Sequence, residues 1–166
     1  MYRTIEDFRK SWETQREATL KILGALTDES LSQPVAQGSR TLGRIGWHVV
    51  LSVGEMARHA GLQVESLPDD APMPASVADF VATYDAASQK LPDAVAAAWT
   101  DEDLAGLIDI YGDKWTRGQT LAVLMAHEIH HRGQMTVLMR QAGLVVPGVM
   151  GPAREEWAAY GMAPQA

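Results

Sequence analysis

No cysteine occurs among the 166 residues, which removes disulfides, thiolate metal ligands and a protein thiol nucleophile together. A metal bound by this chain must therefore be held by histidine and carboxylate. No apolar run approaches the length that crosses a bilayer. The start, "MYRTIEDFRKSWETQ", mixes charges of both signs, where a secretory leader needs a basic end followed by an unbroken apolar stretch. The expectation is a cytoplasmic protein with no membrane partner. Positive charge is scarce too: 14 Lys and Arg stand against 21 Asp and Glu, a formal net charge of -7. Nucleic acid is not an expected partner, because binding it draws on Lys and Arg that neutralise phosphates. Internal repeats, low-complexity tracts and long charge runs are missing as well.

What is present has the balance of a soluble globular protein, with 46% hydrophobic and 21% charged residues. The length suits one domain over residues 1–166 with a real core. Residues 4–26 carry Ile5, Phe8, Trp12, Ile22, Leu23 and Leu26 at helical spacings, and Thr4 with Asp7 resembles a capping pair. A turn-rich connection follows, then helical periodicity over 41–60 that stops near Gly61. Pro68, Pro72 and Pro74 break the next connection, and Ser76 with Asp79 opens a third helix through "SVADFVATYDAASQKL". Pro92 should end or kink it, unless "DAVAAAW" continues the same rod. After a loop with Gly106, Gly112 and Trp115, Thr116 and Gln119 form a capping box for a fourth helix ending at Gly143. A short last helix runs from beside Pro152 to before Gly161. "LIDIYG" is the one strand-like stretch and carries little weight. The pattern predicts an all-α, antiparallel four-helix bundle with a short additional C-terminal helix.

The chemistry sits in the histidines. His127 and His131 of "AHEIHHRGQM" are four apart, on one face of the fourth helix with Leu124, Gln134 and Leu138. That face points inward, whereas His130 is displaced by about 60° around the helix. On the second helix, His48 and His59 lie about 16 Å apart along the axis and cannot share an ion. His48 lies in a stripe with Ile45, Val49, Ser52 and Met56, while His59 sits in the last turn, where it favours the helix C-terminus. The expected ligand set is His48, His127 and His131, with an open position for water or substrate, as at catalytic zinc. His59 and His130 are assigned no ligand role.

"HEIHH" also satisfies H-E-x-x-H, with Glu128 as general base. That reading needs a third ligand downstream, for which Glu155 or Glu156 would serve, although both are explained as first-turn acids of a short helix. A wider match is available. With "RTLGRIGWHVV", "HEIHHRGQMTVLMRQAG" and "PGVMGPAREEW", the chain resembles the DinB/YfiT-like family of metal-binding four-helix bundles over most of its length. The resemblance implies that His48, His127 and His131 take the three metal-ligand positions, that one divalent ion is bound (zinc or nickel first, with iron or manganese compatible), and that the protein is a homodimer. Relatives implied by it include metal-dependent thiol S-transferases and a thiol-dependent isomerase. A divalent ion can hold an external low-molecular-weight thiol as thiolate, ready to attack a small electrophilic substrate. The same ligands suit a hydrolase using metal-activated water, and a closed site would suit a non-catalytic metal-stabilised binding or sensor protein.

Gln134 and Glu128 are the candidate catalytic residues beside the ligands. Gln134 lies on the metal-facing side and could position water or substrate; Glu128 could orient a histidine, although helical geometry favours a surface acid. Glu55, about 10 Å along its helix from His48, is expected to wall the pocket. Arg132 is expected as an exposed arginine in a salt bridge. Trp47, Trp99, Trp115 and Trp157, with Met125, Met135 and Met139, are expected in core or interface.

Overall fold

The computed structural model describes residues 2–164 of the chain. Four long helices dominate it: α1 (Ile5–Leu23), α2 (Leu42–His59), α3 (Val77–Ala98) and α4 (Arg117–Gln141). Each is opened by a hydroxyl that accepts from a backbone N–H of the first turn. Thr4 Oγ1 accepts from Asp7 at 3.0 Å, Thr41 from Arg44 at 3.2 Å, Ser76 from Ala78 at 3.2 Å and Thr116 from Gln119 at 3.0 Å. Such caps are worth about 1 kcal/mol each and set where the helices begin. Short 3-10 turns cover Glu29–Ser32, Glu102–Ala105 and Arg154–Tyr160. The last occupies the place expected of a short helix and is stopped by Gly161 in the left-handed region. Among the described residues no helix is long and apolar enough to cross a membrane.

The helices share one core, α1 packing on α3 and α4, and α2 on α3 and α4. Phe8, Trp12 and Ile22 of α1 meet Phe80, Tyr84, Leu91 and Val95 of α3, and Leu121, Leu124, Met135 and Leu138 of α4 complete the interior with the α2 stripe. Each such side chain contributes about 1.5–3 kcal/mol on burial. Gly46 lets α2 come close: a Cβ there would lie 3.3 Å from Met135 Cε and 3.4 Å from Phe80 Cε1. That approach sets His48, two residues on, against α4.

Of the two readings of Pro92, continuation is the one found: α3 runs through it to Ala98. Proline lacks the N–H that would bond the Ser88 carbonyl, and the buried Trp12 indole donates to that oxygen instead at 2.8 Å. The region read as a loop with one weak strand forms a hairpin of β1 (Leu107–Ile110) and β2 (Asp113–Thr116). Its two-residue turn holds Tyr111 at φ 53 and Gly112 at φ 86, the paired positive angles that a tight hairpin needs. Tyr111 tolerates this conformation with its hydroxyl donating to Glu55 at 3.1 Å and its ring 4.7 Å from that of His59.

Candidate metal centre

The packing of α2 on α4 brings three imidazoles together. His48 Nε2 lies 3.0 Å from His127 Nε2, and His131 Nε2 lies 3.1 Å from the same atom. The rings meet edge to face, with centroids 4.4 to 4.9 Å apart. His48 and His127 are half-buried, and His131 is 8% exposed. His127 Nε2 faces two nitrogens at once, yet one ring nitrogen is either a donor or an acceptor and can satisfy only one of them. A cation among the three satisfies all. Bonds of 2.0–2.1 Å in a tetrahedral arrangement hold nitrogens roughly 3.3 Å apart, within a few tenths of an ångström of the two spacings from His127 Nε2, and all three ligand atoms lie within 4.8 Å of one another. Three neutral imidazoles are also the donor set that borderline divalent ions take.

Protonation favours the same occupant. Burial first, then the neighbouring positive groups, lowers His48 and His127 to about 4, and burial lowers His131 against the opposing bond to Gln134. The rings are thus neutral near pH 7, with lone pairs free for an ion. His131 Nδ1 donates to Gln134 Oε1 at 2.7 Å, which leaves Nε2 as the unprotonated, inward nitrogen. His127 Nδ1 is buried with no protein acceptor.

Among the described residues, these three histidines form the cluster able to hold an ion, and it contains no carboxylate. His130 is exposed, its ring 4.9 Å from that of His131, and His59 is an exposed side chain against Tyr111. Glu55 binds Tyr111 rather than a histidine. Glu155 pairs with Arg140 at 2.9 Å, and Glu156 accepts from the N–H groups of Gly148 and Ala153 at 3.0 and 2.9 Å. Both acids thus tie down the C-terminal segment.

Glu128 and Arg132 are not the surface residues that helical geometry favours. Glu128 is 0% exposed and Arg132 2%. Glu128 Oε2 accepts from Thr19 at 3.0 Å and Tyr84 at 2.9 Å, so the carboxylate is engaged toward α1 and α3, and Oε1 is buried without a partner. Burial raises its carboxyl to about 7 against the bonds from Tyr84 and Thr19 and the charge of Arg132. Arg132 donates to the Gln15 carbonyl at 2.7 Å and to Thr19 at 2.8 Å. Thr19, Tyr84 and Gln15 have no sequence signal that marks them, since their roles depend on α1 and α3 lying against α4. Trp47 and Trp99 are buried, as are Met125, Met135 and Met139, while Trp115 and Trp157 are half-buried. Open grooves of about 560 and 230 Å³ lie elsewhere, one under the 67–74 loop beside Trp47 and one beside Arg9 and Arg16.

Comparison with known proteins agrees with this architecture. The family model of the DinB family matches residues 1–165. The uncharacterized protein YrdA of Bacillus subtilis (strain 168) is 44% identical over 162 residues, 98% of this chain and 97% of that protein. The crystal structure of a DinB-like protein from Bacillus cereus ATCC 10987 superposes with a TM-score of 0.85 at 44% identity, covering 89% of this chain and 99% of that one. A second DinB-like protein, YjoA of Bacillus subtilis, shares the fold at a TM-score of 0.65 and 21% identity, covering 86% of this chain and 96% of its own.

Proposed function

The chain belongs to the DinB family, and we propose that it is a metal-dependent enzyme that transfers a group to or from the sulfur of a small external thiol. On this reading His48, His127 and His131 hold one divalent ion, zinc or nickel, within an antiparallel four-helix bundle. The observation that carries the reading is the convergence of three neutral Nε2 atoms from α2 and α4 at 3.0 and 3.1 Å. A divalent ion held there supplies positive charge that lowers the pKa of a coordinating thiol or water. The protein side of the chemistry is positional. Gln134 sets the His131 tautomer, Gly46 allows the approach of α2, and the buried Glu128, Thr19, Tyr84 and Arg132 set keeps α1, α3 and α4 in register.

A thiol is favoured over hydrolysis by where Glu128 lies. A hydrolase of the H-E-x-x-H type uses that glutamate as general base, whereas here its carboxylate is bonded to Thr19 and Tyr84. A thiol, with a free pKa near 8.5, needs less help to ionise than water. With no cysteine in the chain, the thiol comes from solution. The reading places the protein in the cytoplasm, where reduced thiols are kept. Exposed Ile129 and Val137 on α4 support a homodimer.

The test is elemental analysis of untagged protein, wild type beside His127→Ala, followed by thiol and electrophile screening of the loaded form. About one ion per chain in the wild type, lost in the variant, and thiol-dependent consumption of an electrophile are expected. Metal-free wild type after incubation with zinc, or loaded protein inert to every thiol, would overturn the reading.

A further inference from the structure

Acids outnumber bases by seven in this chain, and most surface cations are accounted for by a carboxylate. Arg9 pairs with Asp93, Arg16 with Asp85, Arg58 with Asp69, Lys90 with Glu65, Lys114 with Asp109 and Arg140 with Glu155. Exposed Arg3, Arg40, Arg44 and Arg154 make no ion pair and no side-chain hydrogen bond among the described residues, and of these only Arg40 and Arg44 lie beside the start of the helix that carries His48.

Their placement is defined by the backbone. The 35–40 turn is closed by the Val35 N–H donating to the Arg40 carbonyl at 3.0 Å and by the Pro34 to Thr41 bridge. Thr41 then caps α2. Arg40 is thus anchored beside the first turn of the helix that carries His48. Arg44 precedes His48 by four residues on α2 and shares its face, about 6 Å along the axis. The first-turn N–H groups of α2, which lack helical acceptors, add positive potential at the same end. His130, exposed beside His131, lies on the α4 side. Arg40 and Arg44 therefore set two guanidinium charges on the N-terminal side of His48. In a chain of opposite net charge this is a local positive field around a candidate reaction centre.

We infer that Arg40 and Arg44 form an oxyanion subsite at the mouth of the three-histidine centre, taking a substrate whose carboxylate or phosphate lies about one helical turn from the atom that reaches the metal. This inference rests on the proposed metal site and deepens it by assigning the class of small molecule. Arginine suits the role because its planar fork meets two oxygens of a carboxylate or phosphate at once, whereas lysine offers only a point charge. The two guanidinium groups, unpaired in the free protein, gain their partners when the ligand enters.

The experiment uses full-length protein loaded with cobalt(II), with occupancy checked by elemental analysis before any ligand is added. Two pairs of ligands are titrated against the visible cobalt bands: 3-mercaptopropionate against 2-mercaptoethanol, and succinate monohydroxamate against acetohydroxamate. Phosphonoacetohydroxamate serves as the phosphate-type arm. The anionic member of each pair should bind roughly tenfold or more tightly than the neutral one, as charge-assisted bonds to a buried or half-buried ligand do. That ratio should collapse toward one in the Arg40→Gln/Arg44→Gln double variant, recover partly in the double Lys variant, and shrink with added salt. A hydroxamate ratio that depends on the arginines beside thiols that leave the bands unchanged would uphold the subsite and overturn the thiol reading. Ratios near one in both wild-type pairs, or ratios untouched by the double Gln change, would overturn the subsite. Failure to bind cobalt at all would overturn the metal centre and the subsite with it.

Discussion

His131 and Gln134, three residues apart on α4, are joined by a bond from imidazole Nδ1 to amide Oε1 at 2.7 Å. The carbonyl oxygen can only accept, so the proton is held on Nδ1 and the lone pair of Nε2 faces His127 and His48. Gln134→Ala removes this control without touching the core, since Gln134 is exposed. Loss of an outer partner of this kind lowers metal affinity about 10- to 100-fold. Competition titration with a chromogenic chelator should show that drop, with the melting temperature of the metal-free protein unchanged.

Metal should stabilise the fold only while all three ligands are intact. At a free-ion concentration about 100-fold above Kd, the gain is about 2.7 kcal/mol. Thermal or urea unfolding should register it in the wild type and in His59→Ala and His130→Ala, but not in His48→Ala, His127→Ala or His131→Ala. An equal gain in the ligand variants would place the ion elsewhere.

Glu128 predicts a pH signature of one sign. Its folded value of about 7 lies above the ordinary 4.5, so the protonated form favours the fold. Stability from this group is fully present below about 4.5 and is lost as pH rises through 7. Glu128→Gln keeps an acceptor for Thr19 and Tyr84 and removes the titration. Its stability relative to wild type should therefore grow from pH 5 to pH 8 in urea unfolding, whereas Glu128→Ala, which leaves the buried Tyr84 hydroxyl without its acceptor, should stay about 1–3 kcal/mol below Glu128→Gln across the same range.

The histidines predict the opposite sign. His48 and His127 fold with values near 4 against an ordinary 6.5, so between these limits the unfolded chain binds more protons. Stability of the metal-free protein then rises with pH across that window and is lost as pH falls from 6.5 toward 4. Measured in the Glu128→Gln background, where the acid no longer contributes, the slope should be positive. Metal affinity should fall over the same range, because protons compete for the same nitrogens.

Trp12 and Pro92 should be energetically coupled. Trp12→Phe leaves the buried Ser88 carbonyl without the indole donor, a loss of about 1–3 kcal/mol. Pro92→Ala restores a backbone N–H that can reach the same oxygen. The Trp12→Phe change should therefore cost measurably less in the Pro92→Ala background, and strict additivity in a double-mutant cycle would contradict the proposed bond.

Much of the architecture was readable because it depends on local rules. Thr4, Thr41, Ser76 and Thr116 act on backbone within three residues of themselves, so helix starts show in the sequence. The pairing of His127 with His131 follows from helical period alone, and the stripe around His48 marks its inward face. The hairpin was harder. "LIDIYG" is short, and its partner "DKWT" has no apolar alternation, so pairing across the Tyr111–Gly112 turn supplies what the strand pattern lacks.

By itself the sequence determined the elements whose causes lie within a turn or two of chain: four amphipathic helices, the absence of any thiol, and a histidine pair at ligand spacing. The tertiary structure alone decided which partner each of those groups meets. Helical geometry favoured a surface position for Glu128 and Arg132, because the period of one helix cannot reveal that Thr19, Tyr84 and Gln15 on two other helices wait to receive them. Nor can it show that His48 Nε2 comes within 3.0 Å of His127, a contact across 79 residues of sequence. Such pairs depend on how whole helices dock, and docking is set by the summed burial of the core, by close approaches such as that at Gly46, and by polar groups that must find partners once buried.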